Sequence, residues 1–361
     1  MAALHYLAMR VSIARSLSEL ESIVPAWEAL ARGALEPNPC YEPWMLLPAL
    51  RAFGAGQDVR IVLVWRGEQL VGLFPFRRAA RYKGLPASTL TPWLHAHCLL
   101  CTPLVLADSA AACLDALFAW CDASFMEFRY LPAGEPFHRA LTQALAARGR
   151  KATVNRAWSR GLLRKNRATV SGQLRRQFAK KERRLAERGR FEHVTLQPHH
   201  DIGRWIEDFL ALEARGWKGR EGSAMACTEA NRRYATEIFT AAFRRGRLMI
   251  CGLDFDGRAI GRRASFLASD GAYAFKTAYD ESMAEFSPGV MLELDNIRQL
   301  DATPGLEWMD SFTEDANLAL DRMWPDQRAM ESLAVPLAAW AGVAAAALPA
   351  LHWAKRRLAF G

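Results

Sequence analysis

Three short stretches of the chain carry groups with chemistry to offer. The first is Ser287-Pro288-Gly289. Before it, Tyr273, Phe275, Thr277 and Tyr279 alternate with Ala274, Lys276, Ala278 and Asp280, which predicts a strand with each set on its own face. After it, Val290, Met291, Leu294 and Ile297 recur at helical spacing, with Arg298 in the last turn. Ser287 suits an N-cap, Pro288 suits the first helical position, and Gly289 lets a ligand approach the backbone. A strand running into a helix with open N–H groups is a ready anion site. Many structural helices begin the same way, so the triplet alone does not define one.

The second stretch is Gly216-Trp217-Lys218-Gly219-Arg220-Glu221-Gly222-Ser223-Ala224. Three glycines, a tryptophan and three charges make a poor helix. They read either as a substrate loop or as an exposed connection. The third is His95-Ala96-His97-Cys98-Leu99-Leu100-Cys101. One CxxC with two histidines lacks the second pair that closes a structural metal site, so no metal is expected. His199-His200, before Asp201, read as a turn and helix start. Serine-hydrolase elbow, Walker loop and zincin motifs are absent from the sequence.

The elements that position these stretches repeat. In the first half, a strand at 9–15 and a helix at 17–32 lead through a Pro-rich segment to a helix ending at Phe53-Gly54. A hairpin follows, Asp58–Trp65 and Gln69–Arg77. Strands near 85–92, 99–106 and 124–131 and helices near 109–121 and 136–148 complete that half. In the second half, helices at 201–215 and 228–245 precede a hairpin, Arg247–Asp254 and Arg258–Ala268, turning at Asp256-Gly257. The Tyr273 strand and a short strand near 306–312 come next. Each hairpin has a glycine in its turn and another in its second strand, and this predicts two related α/β units.

The chain has 361 residues, long enough for two domains. Its net charge is +9 and its pI about 9.4, which favours anionic partners. Seven scattered cysteines and no export-type signal fit a reducing cytoplasm. The most basic part, 148–190, contains an amphipathic helix over 171–190. It reads as a solvated helix face or as a contact for phosphates or anionic headgroups, with nucleic acid the weaker fit. From Leu333 to Trp353 there is no Asp, Glu, Lys or Arg. That stretch is alanine-rich and interrupted by Pro336 and Pro349, so it predicts a packed or surface-lying helix, with peripheral membrane contact as the alternative.

Together, Trp217 to Ala224, Leu253 to Ile260 and Tyr273 to Glu293, with Pro43-Trp44 and the Val71–Pro75 hairpin, resemble the CelD-like (BioF2-like) branch of the GNAT acyltransferases, over about 10–325. The resemblance implies an α/β (α+β) fold of two tandem GNAT-like units, mixed sheets flanked by helices. The expected domains are a degenerate one at 1–155, an active one at 156–330 and an apolar, basic tail at 331–361. It implies acetyl-CoA or acyl-CoA as co-substrate, with no permanently bound cofactor. The pyrophosphate would sit on Ser287, Pro288, Gly289 and Val290, and the thioester between the Tyr273 strand and its parallel neighbour. The usual glycine-rich phosphate loop is reduced here to Gly289, and the Tyr-Lys pair usual after the last strand is replaced around Asn317-Leu318-Ala319.

The implied chemistry is N-acylation of a primary amine. It needs alignment, a base, and donors for the oxyanion. A backbone N–H of the Tyr273 strand is the expected oxyanion donor. Asp280 is the first candidate for base or amine anchor, Glu213 the second, and Tyr279 the acid for the leaving thiolate. Lys276 is a further catalytic candidate, with a structural pair to Asp280, whose face it shares, as the alternative. Trp217 and Lys218 are expected to bind substrate. The acceptor is left as an amino sugar or polysaccharide precursor, or a long-chain lipid amine. The Fem-type kinship of the branch adds aminoacyl transfer from tRNA as an alternative. A non-catalytic partner in envelope or polysaccharide synthesis is another.

Overall fold

The structure is a computed structural model that describes residues 8–314 and 323–343. The chain divides into two compact units. The first holds 8–43, 56–158 and 329–343 of the described residues, and the second 44–55, 159–314 and 323–328. Helix 43–53 therefore groups with the second unit, where Trp44 packs on Phe266 and Phe53 on Tyr234.

In chain order the first part comprises β1 (Met9–Ala14), α1 (Leu17–Ser22), α2 (Val24–Arg32), α3 (Pro43–Phe53), β2 (Val59–Arg66), β3 (Gln69–Ala79), β4 (Thr89–Pro92), β5 (Leu104–Val105), α4 (Ala110–Trp120), β6 (Phe125–Pro132) and α5 (Pro136–Ala146). Then come β7 (Thr153–Arg164), α6 (Gly172–Ala186), β8 (Phe191–Thr195), α7 (Ile202–Arg215), the short α8 (Trp217–Arg220), α9 (Glu229–Arg244), β9 (Leu248–Phe255), β10 (Arg258–Ala268), β11 (Gly271–Tyr279), α10 (Pro288–Ala302), β12 (Trp308–Asp310) and β13 (Asp326–Pro336).

The first unit orders its strands β1-β2-β3-β4-β6-β13, with β5 on β3. The second orders them β7-β12-β11-β10-β9-β8. Each sheet is mixed: β4 runs parallel to β6, and β11 parallel to β12, while the hairpins are antiparallel. The repeat extends to bulges. In β3 the register skips Val71 just before Gly72, and in β10 it skips Ile260 just before Gly261. A Cβ at Gly72 would meet Cys113 Sγ at 2.4 Å, and one at Gly261 would meet Leu292 Cδ1 at 3.0 Å. In both units this glycine lets a helix lie close against the second strand.

Several expectations need correction. The helix expected over 17–32 breaks at Ile23, because Pro25 fits only the first turn of a new helix. The strands expected near 85–92 and 99–106 shorten to Thr89–Pro92 and Leu104–Val105. Strand β7 lies inside the basic region, where its charges hide the pattern. The apolar stretch from Leu333 begins as a strand, not a helix: Met330–Pro336 pair with β6, and Leu333, Ala334 and Val335 are buried. Its remainder from 344, and Asn317-Leu318-Ala319, lie outside the described residues. Among the described residues no helix is long and apolar enough to cross a membrane.

Candidate active site

The second unit turns on one irregularity in β11. Lys276 pairs with Ala264 of β10, yet Ala274 pairs with Ser265, so Phe275 is an extra residue. A bulge of this kind resets the side-chain phase. At the bulge, Phe275 meets Phe239 of α9 and Phe266 of β10, while Tyr273 packs on Trp308 and Phe312. After the bulge, Lys276 takes the face of Phe275, and Thr277 and Tyr279 take the other. The simple alternation expected over 273–280 is thus broken, and Thr277 does not share a face with Phe275.

On the α7 side, Lys276 Nζ lies 2.9 Å from Glu213 Oε1. Lys276 therefore pairs with Glu213, and the alternative of a structural pair with Asp280 does not form. Glu213 is buried on the apolar side of α7, and its Oε2 accepts the Met225 N–H at 2.7 Å. Lys218 Nζ approaches the same Oε1 at 3.4 Å and the Thr277 carbonyl at 3.4 Å. Burial pushes the Glu213 carboxyl up, but Lys276, the Met225 N–H and Lys218 outweigh it and hold it below the usual range. Burial and the Lys276 charge together pull Lys218 below the usual lysine range, against the pull of Glu213.

Lys218 is delivered by α8, folded back on the end of α7. A Cβ at Gly219 would stand 1.8 Å from the Ala214 carbonyl oxygen, so only glycine permits this fold. Glu281 pins the other end, accepting from the Trp217 N–H at 2.6 Å and from Arg220 at 2.8 Å. The loop expected over 216–226 thus includes a helical turn with Trp217 half exposed. Glu213, Trp217, Lys218, Thr277, Tyr279 and Glu281 line a pocket of about 20 Å³.

On the α10 side, a cleft of about 380 Å³ is lined by Arg263, Thr277, Tyr279, Ser287, Pro288, Gly289, Val290, Glu293 and Met323. Its floor is a buried ion pair, Arg263 to Glu293 at 2.8 Å. Arg263 also donates to Thr277 Oγ1 at 2.9 Å, and Trp324 Nε1 donates to Glu293 at 2.9 Å. Ser287 stands at the N-cap position, but in the left-handed region (φ 58°), and its hydroxyl does not cap. Instead Lys181 of the basic helix α6 donates to Ser287 Oγ at 2.6 Å. Val290 and Met291 N–H groups bond back to the Ser287 carbonyl, and proline has none. Gly289 thus carries the open N–H of this helix start, where several were expected.

The gap beside β11 has a clear cause. β12 pairs with it only from Gly271 to Tyr273. Asp310 then holds the end of β12 through Arg160 at 2.7 Å and Arg328 at 2.8 Å, and Phe312 turns the chain away with φ 51°. The Asp280 N–H bonds to the Ile260 carbonyl on β10. Thr277 and Tyr279, one step out of that phase, direct their backbone groups toward the gap. Asp280 itself caps the turn after β11, accepting from the Ser282 N–H at 2.9 Å and Ser282 Oγ at 2.7 Å.

Of the residues picked from sequence, Glu213, Lys218, Lys276 and Tyr279 meet around β11, and Ser287 to Val290 line the cleft next to it. Asp280 is engaged in a turn. Arg263, Thr277, Lys181 and Glu293 were missed. The two arginines inside the apolar run of β10 were the available signal for a buried ion pair. Among the described residues no group of three or more His, Cys, Asp or Glu is arranged for a metal, and Cys98 and Cys101 are buried free thiols.

Residues 172–318 match the acetyltransferase (GNAT) domain family. A putative lysylphosphatidylglycerol synthetase C-terminal domain from Agrobacterium fabrum superposes with a TM-score of 0.53 at 12% identity, covering 92% of this chain and 97% of that one. A conserved protein of unknown function from Bacteroides thetaiotaomicron gives 0.52 at 14% identity, covering 90% and 99%. FemX gives 0.51 at 11% identity, covering 90% and 96%. No curated protein matches the sequence.

Proposed function

We propose that the second unit moves an acyl group from acyl-CoA to a primary amine. The observation that carries this reading is the wall of Thr277 and Tyr279, which borders both the α10 cleft and the Glu213–Lys218 pocket. A donor in the first and an amine in the second meet across one strand. The cleft offers cationic and N–H groups to phosphates through Lys181 and Gly289. A backbone N–H of Thr277 or Tyr279 suits the oxyanion, and Tyr279 suits protonation of the thiolate. Glu213 and Lys276 hold the acceptor side in place, and Trp217 provides an apolar face at its mouth.

The acceptor is an amino sugar or a long-chain lipid amine, and the exposed cations of α6 favour the lipid where it presents at an anionic surface. Calorimetric titration with CoA tests the donor, and native mass spectrometry of protein taken from cells would show a retained thioester and its chain length. Protein that binds no CoA sinks the reading and leaves the aminoacyl-tRNA donor to be tried.

A further inference from the structure

Glu213 is one carboxylate shared by two ammonium groups. Its Oε1 lies 2.9 Å from Lys276 and 3.4 Å from Lys218, and its Oε2 is taken by the Met225 N–H. The three side chains are mostly enclosed: 1% of Glu213, 15% of Lys276 and 22% of Lys218 remains exposed. One negative charge cannot compensate two positive charges in so enclosed a place, so one lysine gives up its proton more readily. The distances say which: Lys276 holds the short contact and Lys218 the long one. Lys218 also stands against the Thr277 carbonyl, on the stretch of β11 that borders the gap.

We propose that Lys218 is the general base of the acyl transfer, a role that rests on the acyltransferase reading above. Its neutral amine takes a proton from the acceptor ammonium and becomes Lys218 ammonium. The freed amine attacks the thioester carbonyl, a C–N bond forms, and the C–S bond breaks. The second nitrogen proton passes to the departing thiolate, with Tyr279 placed to relay it. Lys218 then returns its proton to solvent through its exposed end. The charged and titratable groups facing Lys218 are Glu213 from α7, Lys276 and Tyr279 from β11, and Glu281, itself held by Arg220. Burial and the Lys276 charge both disfavour the ammonium form of Lys218.

The test reads the lysine directly. Intact protein is pulse-labelled with acetic anhydride across pH, and modification of each lysine is followed by peptide mass spectrometry. Lys218 should reach half-maximal modification at lower pH than the exposed Lys151 and Lys180. Lys276→Met should move that midpoint up, because the repelling charge is gone. A midpoint equal to that of the exposed lysines, unmoved by Lys276→Met, overturns the proposal whatever the enzyme does. Lys218→Arg fixes a positive charge at this position and cannot act as a neutral base. It should bind CoA as the unaltered protein does and lose acyl transfer by about 10²–10⁴-fold. Retained transfer in that variant also overturns the proposal. Failure of the unaltered protein to bind CoA strikes the acyltransferase reading instead and leaves the labelling result standing.

Discussion

Gly289→Asp separates stability from donor binding, because the structure predicts opposite signs for the two. Gly289 is the second residue of α10, with Pro288 before it. A carboxylate in the first turn complements the helix dipole and stabilises by about 0.3–1 kcal/mol. The same carboxylate faces the cleft where an anionic donor would lie. Two like charges about 5 Å apart, at an effective dielectric near 20, repel by about 3 kcal/mol. At about 1.4 kcal/mol per factor of ten, binding of CoA should weaken on the order of 100-fold. Gly289→Ala is the steric control. Its Cβ would stand 3.2 Å from Tyr279 Cε1, so the ring must give by a few tenths of an ångström. That variant should keep CoA affinity within about threefold, a difference below about 0.7 kcal/mol. Calorimetric titration gives the affinities and a thermal melt gives the stabilities. An aspartate variant that melts normally and binds CoA as tightly as the unaltered protein refutes the placement of the donor on this helix start.

Other consequences are open to the same methods. Glu293→Gln removes the counter-ion of Arg263, which is 7% exposed, and should destabilise by about 3–5 kcal/mol in urea unfolding. Gly219→Ala forces α8 off the Ala214 carbonyl, should cost about 1–3 kcal/mol, and should return Lys218 to ordinary labelling behaviour. Hydrogen bonding to Asp295 raises His193 above the usual imidazole range; burial opposes this, and the charges of Asp295 and Glu182 add to it. Its contribution to stability should therefore be complete below about pH 6.5 and fade as pH rises through the raised value, so His193→Asn should cost more at pH 6 than at pH 9. Truncation after Val343 leaves β13 intact, whereas a cut at 331 would remove a buried strand. If the tail contacts membrane, the shorter cut should reduce sedimentation with anionic vesicles, and unchanged partitioning would count against lipid contact.

The hairpins were legible in sequence because Gly67 and the pair Asp256-Gly257 adopt positive φ, which glycine and aspartate signal locally. Helix α7 was legible from its apolar spacing, and Asp201 does cap it. What escaped depends on distant partners. The bulge at Phe275 exists only in the register between β10 and β11, and no single strand announces it. Lys276 and Asp280 both follow it in regular register and keep a common phase, but a common phase did not make them a pair. The real partner of Lys276 lies 63 residues earlier in the chain. A signal was present all the same: Glu213 falls on the stripe of Ile206, Phe209 and Leu210, and a carboxylate there calls for a cation. Strand β7 was lost among its arginines, and the end of β13 from Leu333 was read as part of a helix because alanine and proline say little about a strand's partners.

The extra residue in β11 also sets how this protein can change over time. In an unbroken strand, neighbouring side chains belong to opposite faces, and every second position serves one face. Here the phase reset sends Lys276 to Glu213 and turns Thr277 and Tyr279 to the α10 cleft, and it leaves Phe275 in the aromatic packing. Consecutive codons therefore address separate tasks. A substitution at 276 can retune the Glu213 pocket while its neighbour at 277 still frames the α10 cleft. Loss or gain of a single residue near 275 would do the opposite, exchanging the faces and disrupting both pockets at once. Point changes are the route by which specificity can drift here, and insertions are closed to it.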